Sequence, residues 1–123
     1  MNLRRLGIAA SATLALALGM STAHAALQRV IIVQPTDLAT YLKEIETLRG
    51  LFKKAGVTVT LKVWRARFAG NEAGTIVVTE EIADLATLAK LDALTASNAD
   101  VVATMARIGK IRKIVSDSLY ESQ

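Results

Sequence analysis

The side chains best suited to chemistry in this chain lie on two segments in which apolar and polar residues alternate. Alternate residues of a strand point the same way. One face of the first segment therefore carries Lys62, Trp64 and Phe68, and one face of the second carries Ser118 and Tyr120. An indole can stack on an aromatic ligand, and a tyrosine beside a hydroxyl can orient a substrate or give it a proton. We therefore predict these five residues as ligand-binding candidates. The alternative is that the tryptophan packs in a subunit interface and the tyrosine lies at a sheet edge or interface rim.

Two arginines, Arg65 and Arg67, lie on the opposite face of the first segment, beyond its apolar residues. Each guanidinium can hold a carboxylate through two parallel hydrogen bonds, so the two are candidate anion contacts. The alternative is ion pairing within the protein, with Glu72, Glu80 or Glu81 as partners near the predicted hairpin.

The neighbouring Glu80 and Glu81 are not predicted to act as a carboxylate pair, because adjacent residues diverge in a strand and on a helix. We expect them at the start of a helix, where the positive end of the helix dipole favours acidic side chains. No constellation of residues identifies a catalytic site, so the sequence leaves open whether the protein is an enzyme.

The first 25 residues have the three-part layout of a secretory signal peptide. A basic start at Arg4 and Arg5 precedes an apolar run over 6–18, and Ala25 ends a small-residue cleavage motif. The apolar run is shorter than the about 20 residues that span a bilayer. We therefore predict cleavage after Ala25, a mature domain over 26–123, and a periplasmic or secreted protein.

Cleavage would remove the chain's one histidine, His24, from a sequence that has no cysteine. The mature domain would then lack a thiol, an imidazole and the usual ligands of zinc, copper and haem iron. Removing Arg4 and Arg5 from the 15 basic residues leaves 13 against 11 acidic residues, a net charge of +2. The basic residues are scattered and aromatics are few, so we expect no metal, no cofactor, no nucleic acid and no membrane partner after cleavage.

The order of predicted elements indicates an α+β domain with the ferredoxin-like βαββαβ arrangement. Hydrophobic periodicity predicts strands over 27–34, 57–68, 75–79 and 111–120, helices over 38–55 and 80–94, and a further short helix beginning at Ser97 or Asn98. The second helical segment is thus split in two, and the four strands would form one antiparallel sheet. The first and third strands are continuously apolar, which is typical of central strands covered on both faces.

Helices on one face would leave the other face of this sheet exposed, with valine or isoleucine from both central strands and the aromatic rings of Trp64 and Phe68. An apolar patch of that size usually marks an interface. We expect a second copy of the chain to cover it in a symmetric homodimer packed sheet to sheet.

The segments LQRVIIVQPTDLATYLKEIETL, VTVTLKVWRARFAG, GTIVVTEE and SDSLYES resemble the dimeric α+β barrel superfamily, which includes antibiotic-biosynthesis-monooxygenase-like, NIPSNAP-like and stress-responsive barrel domains. The resemblance spans 26–123. It implies a face-to-face dimer with a cavity between sheet and helices, and it implies no single reaction. The haem-binding branches hold iron through a histidine, which the predicted mature chain lacks.

Three functions are consistent with these features. The first is a binding protein that holds a small, mostly apolar molecule in its barrel. The second is a cofactor-free enzyme of the monooxygenase-like or isomerase-like kind. The third is a structural or interaction domain whose barrel is filled. A cavity above about 300 Å³ lined by Trp64 and convergent polar groups would favour the first two, and a buried acid or base with a shifted pKa would favour the enzyme.

Overall fold

The computed structural model describes residues 26–67 and 70–123, apart from the side chain of Glu72. The predicted signal peptide and Phe68 therefore lie outside the described residues. The elements are β1 (Leu27–Pro35), α1 (Leu38–Lys54), β2 (Val59–Arg65), a 3₁₀ turn (Gly70–Glu72), β3 (Ile76–Ile82), α2 (Leu85–Ser97), α3 (Ala99–Lys110) and β4 (Arg112–Glu121). No helix in this part of the chain combines the length and hydropathy needed to cross a bilayer.

The four strands form one antiparallel sheet in the order β2-β3-β1-β4. This order confirms the predicted ferredoxin-like fold with a split second helical segment. The two strands with continuous apolar runs, β1 and β3, are the central ones, as expected for segments covered on both faces.

The helices cover one face of the sheet and enclose the core with it. Helix α1 begins at the cap residue Asp37, whose side chain accepts a hydrogen bond from the amide of Thr40. Its apolar stripe faces the sheet, whereas Leu42 is 40% exposed. The buried core consists of Leu27, Ile31, Val33, Tyr41, Ile45, Leu48, Phe52, Val57, Leu61, Ile76, Val78, Ile82, Leu91, Val101 and Ile108.

Strand β3 is longer than predicted, and this corrects the interpretation of Glu80 and Glu81. Both residues lie in the strand, paired with β1 on one side and β2 on the other, so hydrogen bonds on both edges keep the backbone extended. They therefore do not cap the following helix. Asp84 does so instead, by accepting a hydrogen bond from the amide of Thr87. Consecutive strand residues point to opposite faces, so Glu80 enters the core and Glu81 lies on the open face.

The break between α2 and α3 is held by Asn98, one of the two residues predicted to start the short helix. Its side-chain oxygen accepts hydrogen bonds from the amides of Asp100 and Val101, both at 3.1 Å. Replacing an N-cap asparagine with alanine leaves these amide groups without that acceptor.

We expect Asn98→Ala to lower the free energy of unfolding by about 1 kcal/mol, measured by urea denaturation. Asn71→Ala is the matched control, because Asn71 lies exposed in the 3₁₀ turn and its loss should change stability by less than about 0.5 kcal/mol. Equal effects of the two changes would contradict the capping role.

Candidate functional site

A chamber of about 90 Å³ lies between the sheet and the helices. Most of its wall is apolar, formed by Ile31, Ile45, Leu48, Phe52, Leu61, Val78, Leu91, Met105 and Ile114. The remaining lining side chains are polar and come from β1, α1, β3, α2 and β4: Arg29, Tyr41, Glu80, Thr95, Arg112 and Asp117. An apolar pocket with a few convergent polar groups is the usual composition of a small-molecule site.

Three of these polar side chains have a buried atom with no partner. The atoms are Tyr41 Oη, Glu80 Oε2 and Arg112 Nε. The tyrosine is fully buried and Glu80 is 8% exposed. Buried polar groups are nearly always hydrogen-bonded, and leaving one unpaired costs about 1–3 kcal/mol. Three such atoms, from three different elements, meet at this one chamber and make it the candidate site.

An ion pair lies beside these groups. Arg29 Nε donates to Asp117 Oδ1 at 2.8 Å, and its Nη2 donates to Oδ2 at 2.6 Å. The two side chains are 33% and 35% exposed, so the pair reaches solvent. The hydrogen bond from Arg29 lowers the pKa of the Asp117 carboxyl below its ordinary value. The aspartate is thus ionised at neutral pH and already compensated in charge.

The buried carboxyl of Glu80 has the opposite tendency. Burial raises its pKa above the ordinary value, and the charges of Asp117 and Asp92 add to that effect. The guanidinium groups of Arg29 and Arg112 oppose it. A raised pKa favours the neutral form of a carboxyl, which can donate a hydrogen bond or a proton. Such shifts are found at functional sites more often than on the surface.

Burial likewise raises the pKa of the Tyr41 phenol, whereas the nearby Arg112 lowers it. The phenol is therefore protonated at neutral pH and available as a hydrogen-bond donor.

A β-bulge in β4 determines which side chains face the chamber. Ser116 pairs with Ile32, but the next residue of β1, Val33, pairs with Ile114, so Val115 is an extra residue. The bulge reverses the alternation for the residues before it, which corrects the predicted pattern of the last strand. Ile114 therefore shares the chamber side with Asp117, and Arg112 does too.

The four predicted ligand-binding residues within the described part of the chain lie instead on the open face of the sheet, opposite the helices. Lys62 and Trp64 are on β2 and form a small cluster with the adjacent strand. The indole donates a hydrogen bond to Thr79 Oγ1 at 2.9 Å, and Lys62 Nζ lies 3.2 Å from Glu81 Oε1. The same ammonium is 6.0 Å from the centroid of the indole ring.

Ser118 and Tyr120 share this open face but lie on β4, the opposite edge strand. The backbone register places Lys62 and Ser118 in one row, separated by Thr79 and Val30. Three strand spacings of about 4.8 Å put them roughly 14 Å apart. The structure thus brings these four residues to one face without bringing them together, and none of the four lines the chamber. Their role in ligand binding stays a prediction.

The other anion candidates, Arg65 and Arg67, are exposed. Arg65 ends β2, and Arg67 follows it in the loop. Neither forms a salt bridge with a carboxylate among the described side chains, and Glu81 pairs with Lys62 instead. Their role as anion contacts also stays a prediction.

A second cavity, a groove of about 530 Å³, lies at the end of the sheet where β1 begins and β4 ends. Tyr120 lines it together with Gln28, Thr60 and Glu81, which form one row of the open face. Among the described residues, none of the buried polar atoms without a partner faces this groove. The chamber is therefore the better candidate site.

Sequence reasoning missed the chamber residues Arg29, Tyr41, Glu80, Arg112 and Asp117. One signal was available, because Arg29 interrupts an otherwise apolar central strand on its helix-facing side. The other four depended on burial and register, which the local pattern does not contain. No group of three or more histidine, cysteine or acidic side chains within 26–67 and 70–123 is arranged to hold a metal ion.

Comparison with known proteins gives one similar fold. A crystal structure from Bacteroides thetaiotaomicron, described as a conserved protein of unknown function and possible oxidoreductase, superimposes with a TM-score of 0.58 at 10% sequence identity. The match covers 79% of this chain and 97% of that one. No family model and no curated protein matches the sequence. At this identity the comparison shows the shared α+β fold alone.

Proposed function

We propose that this protein is a periplasmic or secreted homodimer of the dimeric α+β barrel type that binds a small, mostly apolar molecule in the chamber between its sheet and helices. The observation that carries the proposal is the convergence of three buried polar atoms without partners, on Tyr41, Glu80 and Arg112, at an otherwise apolar wall. Such atoms are satisfied when a ligand supplies the missing hydrogen bonds.

The size of the chamber limits the ligand. Pockets for drug-sized ligands measure about 300–1,000 Å³, whereas this one measures about 90 Å³. An apolar cavity of about 150 Å³ holds benzene, which has six non-hydrogen atoms, so in proportion this chamber suits about three or four. With a ceiling of about 1.5 kcal/mol per atom, the dissociation constant would be micromolar or weaker.

The composition of the open face supports the homodimer. Its centre is formed by Val30, Ile32, Val77 and Thr79, which are side by side on the two central strands. Trp64 beside them is 52% exposed, a large apolar surface for a single chain. The charged residues of this face, Lys62, Glu81 and Lys113, lie toward its perimeter. An apolar centre with a polar rim is the anatomy of a protein interface, and a second copy matches it by symmetry.

The start of the fold supports cleavage of the leader after Ala25. Ala26 is tied to the other end of the domain, because its amide donates to Ser122 Oγ and its carbonyl accepts from the Ser122 amide, both at 2.9 Å. The first residue of the proposed mature chain is thus hydrogen-bonded into the fold.

We expect mature protein recovered from the periplasm or the medium to begin at Ala26, by N-terminal sequencing or intact mass. Replacing Ala23 and Ala25 together with bulky residues should block processing, because the peptidase pocket takes small side chains. A mature protein that retains the leader would contradict the proposal.

Protein-observed NMR with a set of fragments of up to four non-hydrogen atoms tests the binding function. We expect resonances of Ile31, Val78 and Leu91 to shift, while those of the open face stay unchanged. The chamber-filling change Val78→Leu should abolish the shifts, and Val102→Leu on the exposed side of α3 is its matched control. No shift at the chamber by any fragment would favour the third function, a structural domain with a filled barrel.

A specific observation favours a cofactor-free enzyme of the isomerase-like kind as the second candidate. The buried carboxyl of Glu80, with a raised pKa, lines the same chamber as the Tyr41 phenol. In its ionised form, Glu80 can take a proton from one atom of a substrate and, once protonated, return it to another atom, while the Tyr41 phenol donates a hydrogen bond to the substrate's carbonyl oxygen. NMR in deuterated water can follow proton exchange at the carbon next to a substrate's carbonyl. Exchange that is lost in Glu80→Gln would distinguish this enzyme from a binding protein.

A further inference from the structure

The nitrogen atom at the proposed cleavage site lies in the larger cavity. Ala26 and Ser122 both line the groove of about 530 Å³ at the end of the sheet. The Ala26 nitrogen donates a hydrogen bond to Ser122 Oγ at 2.9 Å. The Ser122 amide donates in return to the Ala26 carbonyl, also at 2.9 Å. Two hydrogen bonds between the same two residues therefore hold the nitrogen against the hydroxyl.

Cleavage after Ala25 would change the chemistry of this nitrogen. While the leader is attached, the nitrogen belongs to a peptide bond, which donates a hydrogen bond but does not accept a proton. After cleavage it is an α-amino group, whose ordinary pKa lies close to neutral pH. The domain over 26–123 contains no histidine and no cysteine. By ordinary pKa values, the new amine is thus the one group in the mature domain suited to act as a base near pH 7–8.

Resting on the proposed cleavage after Ala25, we propose that removal of the leader creates a nucleophilic pair, the α-amino group of Ala26 and the hydroxyl of Ser122, which cleaves small uncharged carboxylic esters in the groove. A neutral amine beside a hydroxyl can serve as its general base, as an N-terminal amine does for a catalytic threonine. The precursor is inactive in this scheme, because its amide nitrogen cannot take the proton.

The reaction balances without a cofactor. The amine takes the Ser122 proton as Oγ attacks the ester carbonyl, and the resulting ammonium gives that proton to the departing alkoxide. The products of this step are an alcohol and an acyl-serine. Water then attacks the acyl group and gives a proton to the amine. The ammonium returns the proton to Ser122 Oγ as the carboxylic acid leaves.

The groove also supplies donors for the negative charge that forms on the carbonyl oxygen during attack. Gln28 and Tyr120 are paired across β1 and β4, and both line the groove. Each is two residues along its strand from Ala26 or Ser122, which is about 7 Å. Neither side chain is hydrogen-bonded to another described residue, so the amide and the phenol are free to donate to a substrate.

The remaining lining indicates the class of ester. Leu27, Ile82 and Ala83 provide an apolar wall, and the volume lies within the about 300–1,000 Å³ of small-molecule sites. The titratable side chains that line the groove are Glu81 from β3, and Tyr120 and Glu121 from β4. Two carboxylates disfavour an anionic substrate and favour the ammonium form of the amine. The rate of acylation should therefore rise about tenfold per pH unit while the ammonium predominates, and level off once the amine is neutral.

The protein that begins at Ala26, incubated with p-nitrophenyl propionate, tests the pair. We expect peptide mapping to find a propionyl group on Ser122, and we expect Ser122→Ala to abolish both this group and the release of p-nitrophenol. Ser97→Ala is the matched control, since Ser97 is an exposed serine at the last position of α2. A single glycine added before Ala26 restores the amide nitrogen and should slow acylation by about 100-fold.

The glycine-extended protein supplies a readout that loss of folding cannot imitate, because the precursor carries the same peptide bond at this nitrogen. Its slow acylation should not level off with pH, since it has no amine at Ala26 to titrate. Equal acylation of the two proteins, or no acyl group on Ser122 when the chain begins at Ala26, would overturn the proposal. N-terminal sequencing tests the cleavage separately, and the fragment titration tests binding in the chamber.

Discussion

Replacing Glu80 with leucine should raise the free energy of unfolding at pH 7 by about 1–3 kcal/mol, the cost of a buried polar group without its partner. The residue is 8% exposed and its Oε2 atom has no hydrogen bond. Leucine of similar size would pack against the apolar wall of the chamber. Arg29 would keep its bidentate partner Asp117, so the change should leave no other group newly unpaired. A gain in stability on removing a functional side chain follows from the trade-off between stability and activity.

The gain should depend on pH in a direction set by the raised pKa of Glu80. Below pH 4.5, the ordinary pKa of the group, the Glu80 carboxyl is protonated in both the folded and the unfolded state, so its ionisation does not lower the stability of the protein. As pH rises through the folded-state pKa, the unfolded state ionises more readily, and the unmodified protein loses stability relative to Glu80→Leu. Asp117 affects stability in a different pH range. Because its pKa is lowered in the folded state, the stability that it contributes is lost only as pH falls below 3.8.

Urea denaturation of both proteins between pH 4 and pH 8 measures this effect. Glu121→Leu is the matched control at the exposed end of β4, where the same substitution should change stability by less than about 0.5 kcal/mol. A Glu80→Leu variant that is less stable at pH 7, or a gain that is constant with pH, would contradict the burial of an unpaired carboxyl.

Replacing Ile32 with aspartate at the centre of the open face should convert the proposed homodimer into a monomer. A symmetric interface contains the substituted residue twice, once from each subunit, and each buried unpaired charge costs several kcal/mol. We therefore expect the dimerisation constant to weaken by about 100-fold or more. Ile32 lies between Val77 on β3 and Ser116 on β4, so the new carboxylate would have no cation opposite it.

Sedimentation equilibrium at micromolar concentration measures this change, with circular dichroism to show that the monomer stays folded. Val102→Asp on the exposed side of α3 is the matched control, since it adds the same charge away from the sheet. A monomeric unmodified protein, or equal association of both variants, would show that the open face is not a subunit interface.

Several elements of the fold could be read from local patterns. Helix α1 follows from its three- and four-residue apolar spacing, and the break at Asn98 follows from the capping chemistry of its side chain. The central place of β1 follows from its run of β-branched residues, Val30 to Val33. These features depend on neighbours within one or two turns of chain, which the sequence contains directly.

The end of β3 could not be read in the same way. Its last residues look like the start of a helix because two acidic residues precede an apolar helical pattern. Pairing with β1 and β2 on both edges overrides that tendency and keeps the segment extended. This pairing places Glu80 in the chamber. Because the sequence analysis assigned Glu80 to the start of a helix, it missed the residue as part of the site.

The sequence by itself determined the order of the elements, the two apolar central strands and the chemical inventory, a domain with no cysteine and no histidine after position 24. Only the tertiary structure decided which polar groups meet. Long-range pairing buried Glu80, and one extra residue at Val115 turned Arg112 toward Tyr41. Side-chain direction along a strand has a period of two, so a shift of one residue in register, set by a distant strand, reverses the face on which a residue acts.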